Sequence, residues 1–444
     1  VATGINASER LSPEAQTASV PHRSELPMPS ATAAIGFSYE GRAQVDQVRA
    51  LHPAPLVCWR NGGWQATHIE PNGIALCDNL GGLAALAASS HRARLIYLDP
   101  PYNTGLDFQS RGLQHAYKDD RSTATYVEFM RRRLILAREC LTEDGSIYLH
   151  IGHQMLAHLK VVMDEIFGER NFRNIISRRK CSSKNFTTNQ YANLHDYLLF
   201  YTKSAAYVWN QPGQQPSGEW IDKEYPRFDA RGRYKLVPVH APGTRNGETG
   251  QPWRDMNPPP GKHWQYAPAK LEQLDKDGFI HWSKTGNPRR KVYFTSDKAI
   301  PYTDNWDSFR DAHHQSIEVT GYPTEKNLDM LKMIVGASSN PGDLVVDPFC
   351  GSGTTLDAAD QLGRRWLGMD ESFVALAAAT KRLRHGSERM GDYVARKSDT
   401  PQASLFTDEP APPPKARERS QFTVFADAEL SEDGLLEAQS FANG

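Results

Sequence analysis

The chain has 444 residues, 39% hydrophobic and 23% charged, with a formal net charge of −1, a globular composition long enough for two domains or one large domain with insertions. No apolar run approaches the roughly 20 residues of a membrane span, and the N-terminus lacks a basic-then-apolar signal, so a cytoplasmic setting is expected. The five cysteines form no CxxC pair, so neither a zinc site nor a disulfide framework is indicated and no metal is expected.

Residues 1–45 are rich in Ala, Ser, Thr and Pro without a sustained period, and are expected to be disordered. Over 46–205 strand and helix patterns alternate. GIALC (73–77) reads as a strand and LGGLAALAA as a helix, and LIYL (95–98) is the next strand. Tyr126, Phe129, Met130, Leu134 and Ala137 share one helical face, SIYLHI is a further strand, and MLAHLKVVMDEIFG is an amphipathic helix closed by Gly168. HDYLLFYT (195–202) is again a strand.

Between 206 and 322 the period is lost, and Pro, Gly, Trp and basic residues dominate. This reads as an insertion, not as sheet core. Residues 171–322 hold 22 Lys and Arg against 15 Asp and Glu, an excess suited to a polyanionic partner, although a solvated face would look the same. The α/β rhythm resumes over 323–388, with a helix, the strand LVVD, a Gly-rich turn, a helix and the strand RWLGMD. Residues 389–444 are Pro-rich and acidic, and are expected to be disordered.

Two strand ends carry the chemistry. LIYLDPPYNTG (95–105) runs four apolar residues into Asp99. Pro100 and Pro101 have no N–H to donate and cannot extend the strand. Asp99 is therefore held at the carboxyl end of a buried strand, where ligands bind in open α/β sheets. Free carbonyls and the Tyr102 ring beside it suit a flat, polar ligand; a Pro-rich turn with a solvent-facing Asp is the plainer alternative. Downstream, DLVVDPFCGSGTT (343–355) ends a strand at Asp347, turns on glycines and opens a helix. Such a loop lets backbone amides approach a ligand. The next strand ends at Asp370, at the spacing of an acid for ribose hydroxyls. GxGxxG and GxxxxGK[ST] are both absent, so the pattern is a nucleoside site without a dinucleotide or ATPase fingerprint.

Together, DPPY and DPFCGSGTT resemble the S-adenosylmethionine-dependent DNA amino-methyltransferases. The catalytic motif precedes the cofactor motif, as in the β-group adenine-N6 enzymes and type III modification subunits. CDNL (77–80), DGSIYLHI, LHDYLLFY and GYPTEKN resemble further framework motifs, and the likeness spans roughly 73–385. It implies a doubly wound, mostly parallel α/β methyltransferase domain of permuted motif order, with a target-recognition insertion at 206–322. It implies that Asp99, Pro100, Pro101 and Tyr102 are catalytic. Asp78, Lys326, Asp347, Phe349, Gly351, Gly353 and Asp370 would then line the S-adenosylmethionine site. Asn327 stands where the family usually has Pro after the Lys of TxKP, which would loosen the turn before the helix. A cytosine-N4 enzyme and a non-catalytic DNA-binding subunit are the rival readings. In the resembling families a leading Asp is commoner for adenine and a leading Ser for cytosine.

Double-stranded DNA is the expected partner, with Arg178, Arg179, Lys180, Arg289, Arg290 and Lys291 as phosphate contacts. Homodimers are common among relatives. QASLF (402–406) is similar to the peptides that dock bacterial DNA-processing proteins on the replication sliding clamp, so Gln402, Leu405 and Phe406 form a candidate anchor. Cys350, inside the cofactor loop, reads as a packing residue. Trp253, Trp264 and Trp282 read as a local core.

Overall fold

The computed structural model describes residues 35–102, 107–109, 115–118, 122–181, 189, 191–310, 318–319, 325–386, 388–389 and 421–443. The candidate anchor Gln402–Phe406 lies outside them.

Among the described residues, eleven strands form one sheet. In chain order they are β1 (Leu56–Arg60), β2 (Gly63–Ala66), β3 (Gly73–Leu76), β4 (Ala93–Leu98), β5 (Leu141–Ile151), β6 (Phe172–Arg179) and β7 (His195–Thr202). Then follow β8 (Asn305–Trp306), β9 (Leu344–Asp347), β10 (Arg365–Asp370) and β11 (Thr423–Asp427). Their spatial order is β8-β6-β7-β5-β4-β9-β10-β3-β11-β1-β2. The run β5-β4-β9-β10-β3-β11 is parallel. Parallel strands need cover on both faces, which is why β3 and β9 are apolar and buried at every position but the terminal Asp347, itself buried. Helices α1 (Asn79–Ala88), α2 (Thr123–Cys140) and α3 (His153–Phe167) cover one face. The other face is covered by α4 (Leu328–Ser338), α5 (Thr354–Gln361), α6 (Phe373–His385) and α7 (Glu432–Asn443). This is the doubly wound architecture expected from the alternating pattern.

β4 and β9 are neighbours, paired through Val345–Leu95 and Val346–Ile96, although about 250 residues separate them in sequence. From β9 the chain proceeds to β10 on one side, and from β4 to β5 on the other. The strand order reverses here, so a crevice opens beyond the carboxyl ends of these two strands. Asp347 ends β9, and Asp99 directly follows β4.

The expectation of disorder needs correction over residues 35–45 and 421–443. Phe37 and Tyr39 pack against the core, and the Tyr39 hydroxyl donates to Glu128 at 2.6 Å. At the other end, TVFAD forms β11 between β3 and β1, with Phe425 fully buried. A strand buried between two others needs only a short apolar run, and the acidic, Pro-rich composition around it hides that run. The β1–β2 hairpin turns through Asn61 (φ 52°) and Gly62 (φ 81°). Asn-Gly is the dipeptide this turn favours.

The insertion builds a four-stranded antiparallel sheet in the order Arg227–Asp229, Gly232–Pro238, Pro288–Tyr293, Ile280–Trp282. Val239, Trp253, Trp264, Leu271 and Ile280 form its core, and Trp282 packs against them, as the sequence suggested. Its C-terminal part nevertheless returns to the main sheet, where β8 pairs with β6.

Candidate active site

Asp99 and Tyr102 meet at the end of β4. The Tyr102 hydroxyl donates to Asp99 Oδ1 at 3.1 Å. Burial, with Asp99 alongside, pushes that hydroxyl well above its ordinary pKa, so it stays a donor. Lys326 Nζ lies 2.5 Å from Asp99 Oδ2 and 5.4 Å from the centre of the Tyr102 ring. The turn is braced from α2, whose Tyr126 hydroxyl donates to the Pro101 carbonyl at 2.5 Å. Pro100 is buried. Gly152 lines the ring: a Cβ there would come within 3.2 Å of Tyr102 Cδ2.

The loop after β9 is shaped by two carboxyls. Asp347 accepts from the Phe349 amide at 3.0 Å, and burial raises its pKa to about 7. Asp370 accepts from Gly351 N at 3.0 Å and from Ser372 N at 3.0 Å, and burial raises it to about 6. Asp347 is thus a buried brace of the turn. Gly351 (φ 48°) and Gly353 (φ 74°) adopt the left-handed conformation, which admits glycine without strain. At Gly353 a Cβ would also meet the Ala379 Cβ at 3.0 Å, so the loop closes onto α6. Cys350 is buried, and its Sγ lies 3.0 Å from where a Gly368 Cβ would stand. Burial pushes its thiol pKa well up, which suits packing and not nucleophilic attack.

Asp78 caps α1, accepting from Leu80 N at 3.3 Å, and holds Arg133 Nη2 at 2.7 Å. Arg133 also donates to Asn79 Oδ1 at 2.5 Å and lies over the Phe129 ring at 3.6 Å. Phe129 in turn lies 6.2 Å from the Phe349 ring. Asn79 donates to the Pro348 carbonyl at 2.9 Å. One arginine from α2 therefore ties the end of β3 to the Gly-rich loop. Sequence reading missed Arg133 because it sits in an Arg-Arg-Arg run on an otherwise amphipathic helix. Leu76, Cys77, Asp78 and Glu371 line a depression with Asp427, Glu429 and Leu430 of the C-terminal segment.

Four adjacent strands add a buried polar row. Arg178 (β6) donates to Asp196 at 2.8 and 2.5 Å. His150 (β5) Nε2 stands 3.1 Å from Asp196 of β7, and its Nδ1 is 2.7 Å from the hydroxyl of Tyr97 on β4. The His150 ring centre is 5.9 Å from that of Tyr102. Burial lowers the pKa of His150. Burial opposes charge on Asp196, but His150 and Arg178 more than offset it and hold the carboxyl well below the usual range. The expected phosphate contact at Arg178 is therefore corrected: its side chain is 1% exposed and committed to Asp196. The alternation of β6 turns this residue inward, and the basic run RRK concealed that.

The other basic candidates are more accessible. Arg179 is half-buried and donates to the Cys181 carbonyl at 3.2 Å, and Lys180 is half-buried. Arg289 is exposed on its strand, Arg290 lies 5.5 Å over the Tyr266 ring, and Lys291 pairs with Asp229 at 2.8 Å. Asn327 does not loosen the turn: its side chain caps α4, accepting from Met330 N at 3.0 Å. Among the described residues no His, Cys, Asp and Glu cluster could hold a metal, and no helix is long and apolar enough to cross a membrane.

A carboxylate-bearing Pro turn thus stands beside a Gly-rich loop at the switch point of a doubly wound sheet. Residues 93–381 match the DNA methylase family, and the chain belongs to it. It is 55% identical over 397 residues to the type II methyltransferase M.EcaI of Enterobacter cloacae, covering 89% of this chain and 87% of that protein. It is 30% identical over 319 residues to the type III restriction-modification enzyme StyLTI Mod subunit of Salmonella typhimurium, covering 63% of this chain and 48% of that protein. Among solved structures, the M1.HpyAVI–SAM complex aligns with a TM-score of 0.37 and 15% identity over 70% of this chain and 98% of that one.

Proposed function

We propose that this protein transfers a methyl group from S-adenosylmethionine to the N6 amine of an adenine flipped out of double-stranded DNA. The observation that carries the reading is the pairing of β4 with β9, which sets Asp99 and Tyr102 beside the Gly-rich loop. The residues present fit the cofactor. Asp370, beside the Gly-rich loop, would hold the ribose hydroxyls, Asp78, half-exposed at the depression beyond β3, would face the adenine, and Phe349, Gly351 and Gly353 would line the methionine end. When bound, S-adenosylmethionine supplies an electrophilic methyl group.

The chain's own residues do the rest by placement. An exocyclic amine is a poor nucleophile because its lone pair delocalises into the ring. Asp99, with the Pro100 carbonyl, accepts the amino hydrogens and turns the lone pair out of that plane. Asp99 need not be strongly basic, because the amine loses its proton only after becoming cationic. Orientation and preorganised acceptors carry the rate. Flipping the base costs a few kcal/mol; stacking on Tyr102 offsets roughly 1–3 kcal/mol of it. Arg179, Lys180 and Arg289 would meet phosphates, a role that their accessibility supports.

Expression in bacteria free of DNA methylation, followed by nucleoside mass spectrometry and long-read mapping of modified bases, tests the reading. N6-methyladenine at one recurrent sequence is the expected result. N4-methylcytosine as the sole product would replace adenine with cytosine as the substrate, and no modified base would remove the catalytic reading.

A further inference from the structure

Both oxygens of Asp99 are engaged within the protein itself. Oδ1 accepts from Tyr102 at 3.1 Å, and Oδ2 pairs with Lys326 at 2.5 Å. The side chains of Lys326 and Asp99 are only 10% and 16% exposed, so the pair is screened weakly. An acceptor held by an ammonium is a poor acceptor for an incoming amine. The segment that carries Lys326 is also tied to the Gly-rich loop. Its neighbour Glu325 is paired with the buried Arg382, and Arg382 reaches Ser352 of the Gly-rich loop at 3.5 Å. On its other flank, Asn327 caps α4. Residue 326 is thus fixed by both neighbours between the loop that would receive an amino-acid cofactor and the carboxylate that would receive the base.

We infer that Lys326 is a positioning residue shared by the two substrate sites: it neutralises Asp99 in the free protein and leaves it for the carboxylate of the cofactor's methionine moiety. The inference rests on the methyltransferase reading above. Two carboxylates then compete for one ammonium. Filling the cofactor site releases Asp99 Oδ2, and the base is gripped only when the methyl donor is in place. By linkage, a captured base strengthens cofactor binding by the same factor.

The competition can be measured without DNA, by titration calorimetry with two probes. S-Adenosylhomocysteine keeps the carboxylate and lacks the sulfonium charge; 5′-methylthioadenosine lacks the carboxylate altogether. Asp99→Asn removes the competitor, so it should tighten S-adenosylhomocysteine binding about fivefold or more, the lower range of site–site coupling, while leaving methylthioadenosine unchanged. Lys326→Met should weaken the first probe only, and in that background Asp99→Asn should have no further effect. Near-UV circular dichroism checks that each variant is folded, and the two probes compared on the parent protein need no variant. The inference is overturned if Asp99→Asn leaves S-adenosylhomocysteine affinity unchanged or lower. It is equally overturned if the gain persists in Lys326→Met or appears with methylthioadenosine. Failure of the methyltransferase reading would show instead in the nucleoside analysis, whatever these affinities are.

Discussion

Removing Asp196 gives the sharpest test of the buried row behind Tyr102. Asp196 is 1% exposed and accepts both Arg178 donors, so Asp196→Ala strands a guanidinium in the core. Breaking a buried pair from one side costs about 3–5 kcal/mol. The double change Arg178→Met with Asp196→Leu removes both charges and keeps similar volume. It loses the bond from Arg178 Nη1 to the Phe309 carbonyl at 3.3 Å, worth about 0.5–1.5 kcal/mol, and, like the single variant, it leaves His150 Nε2 without Asp196 at 3.1 Å, at about 1–3 kcal/mol. The double variant should therefore fall below the parent but stay above the single one, which alone carries the stranded guanidinium. Guanidinium midpoints at unchanged slope measure this. The double variant's DNA affinity should also keep the parent's salt dependence, whereas losing a phosphate contact would flatten the slope by about 0.9. A single variant within about 1 kcal/mol of the parent, below the range for a stranded buried charge, would refute the reasoning. So would a double variant that is no better than the single.

Asp99→Ala is expected to bind S-adenosylmethionine at least as tightly as the parent and to lose methyl transfer by about a hundredfold or more; near-parent turnover would remove Asp99 from its role. Replacing Arg179, Lys180 and Arg289 by Ala should weaken binding to all duplexes alike and flatten the salt dependence, as phosphate contacts do, and an unchanged slope would place these side chains in solvent. Asp347, raised to about 7 by burial, is protonated in the folded protein over a range where the unfolded chain ionises. Its contribution to stability is full below about pH 4, falls by up to about 1.4 kcal/mol per pH unit as pH rises toward 7, and is then level. Asp347→Asn should remove that fall; denaturant midpoints at pH 5 and pH 8 would show it, and a parent whose pH dependence the substitution does not alter would contradict it.

Local chemistry made much of this protein legible in its sequence. Continuous apolar runs marked β4, β9 and β10 because parallel strands are buried on both faces, and Pro100 and the Gly351–Gly353 turn marked where two of them stop. Those signals are short-range, so Asp99, Tyr102 and the Gly-rich loop could be picked out one segment at a time. Properties that depend on what lies opposite could not be read that way. Arg178 looked like a surface cation, yet the alternation of β6 against β7 faces it with Asp196. Phe425 sat in acidic, Pro-rich sequence, yet β3 and β1 supply both of its neighbouring strands. Lys326 looked committed to a cofactor, but the return of α4 onto the sheet brings it to Asp99. A side chain's type and local period are properties of the chain near it. Its partner, and therefore its charge state and role, is decided only when strands about 250 residues apart come to lie about 5 Å from each other.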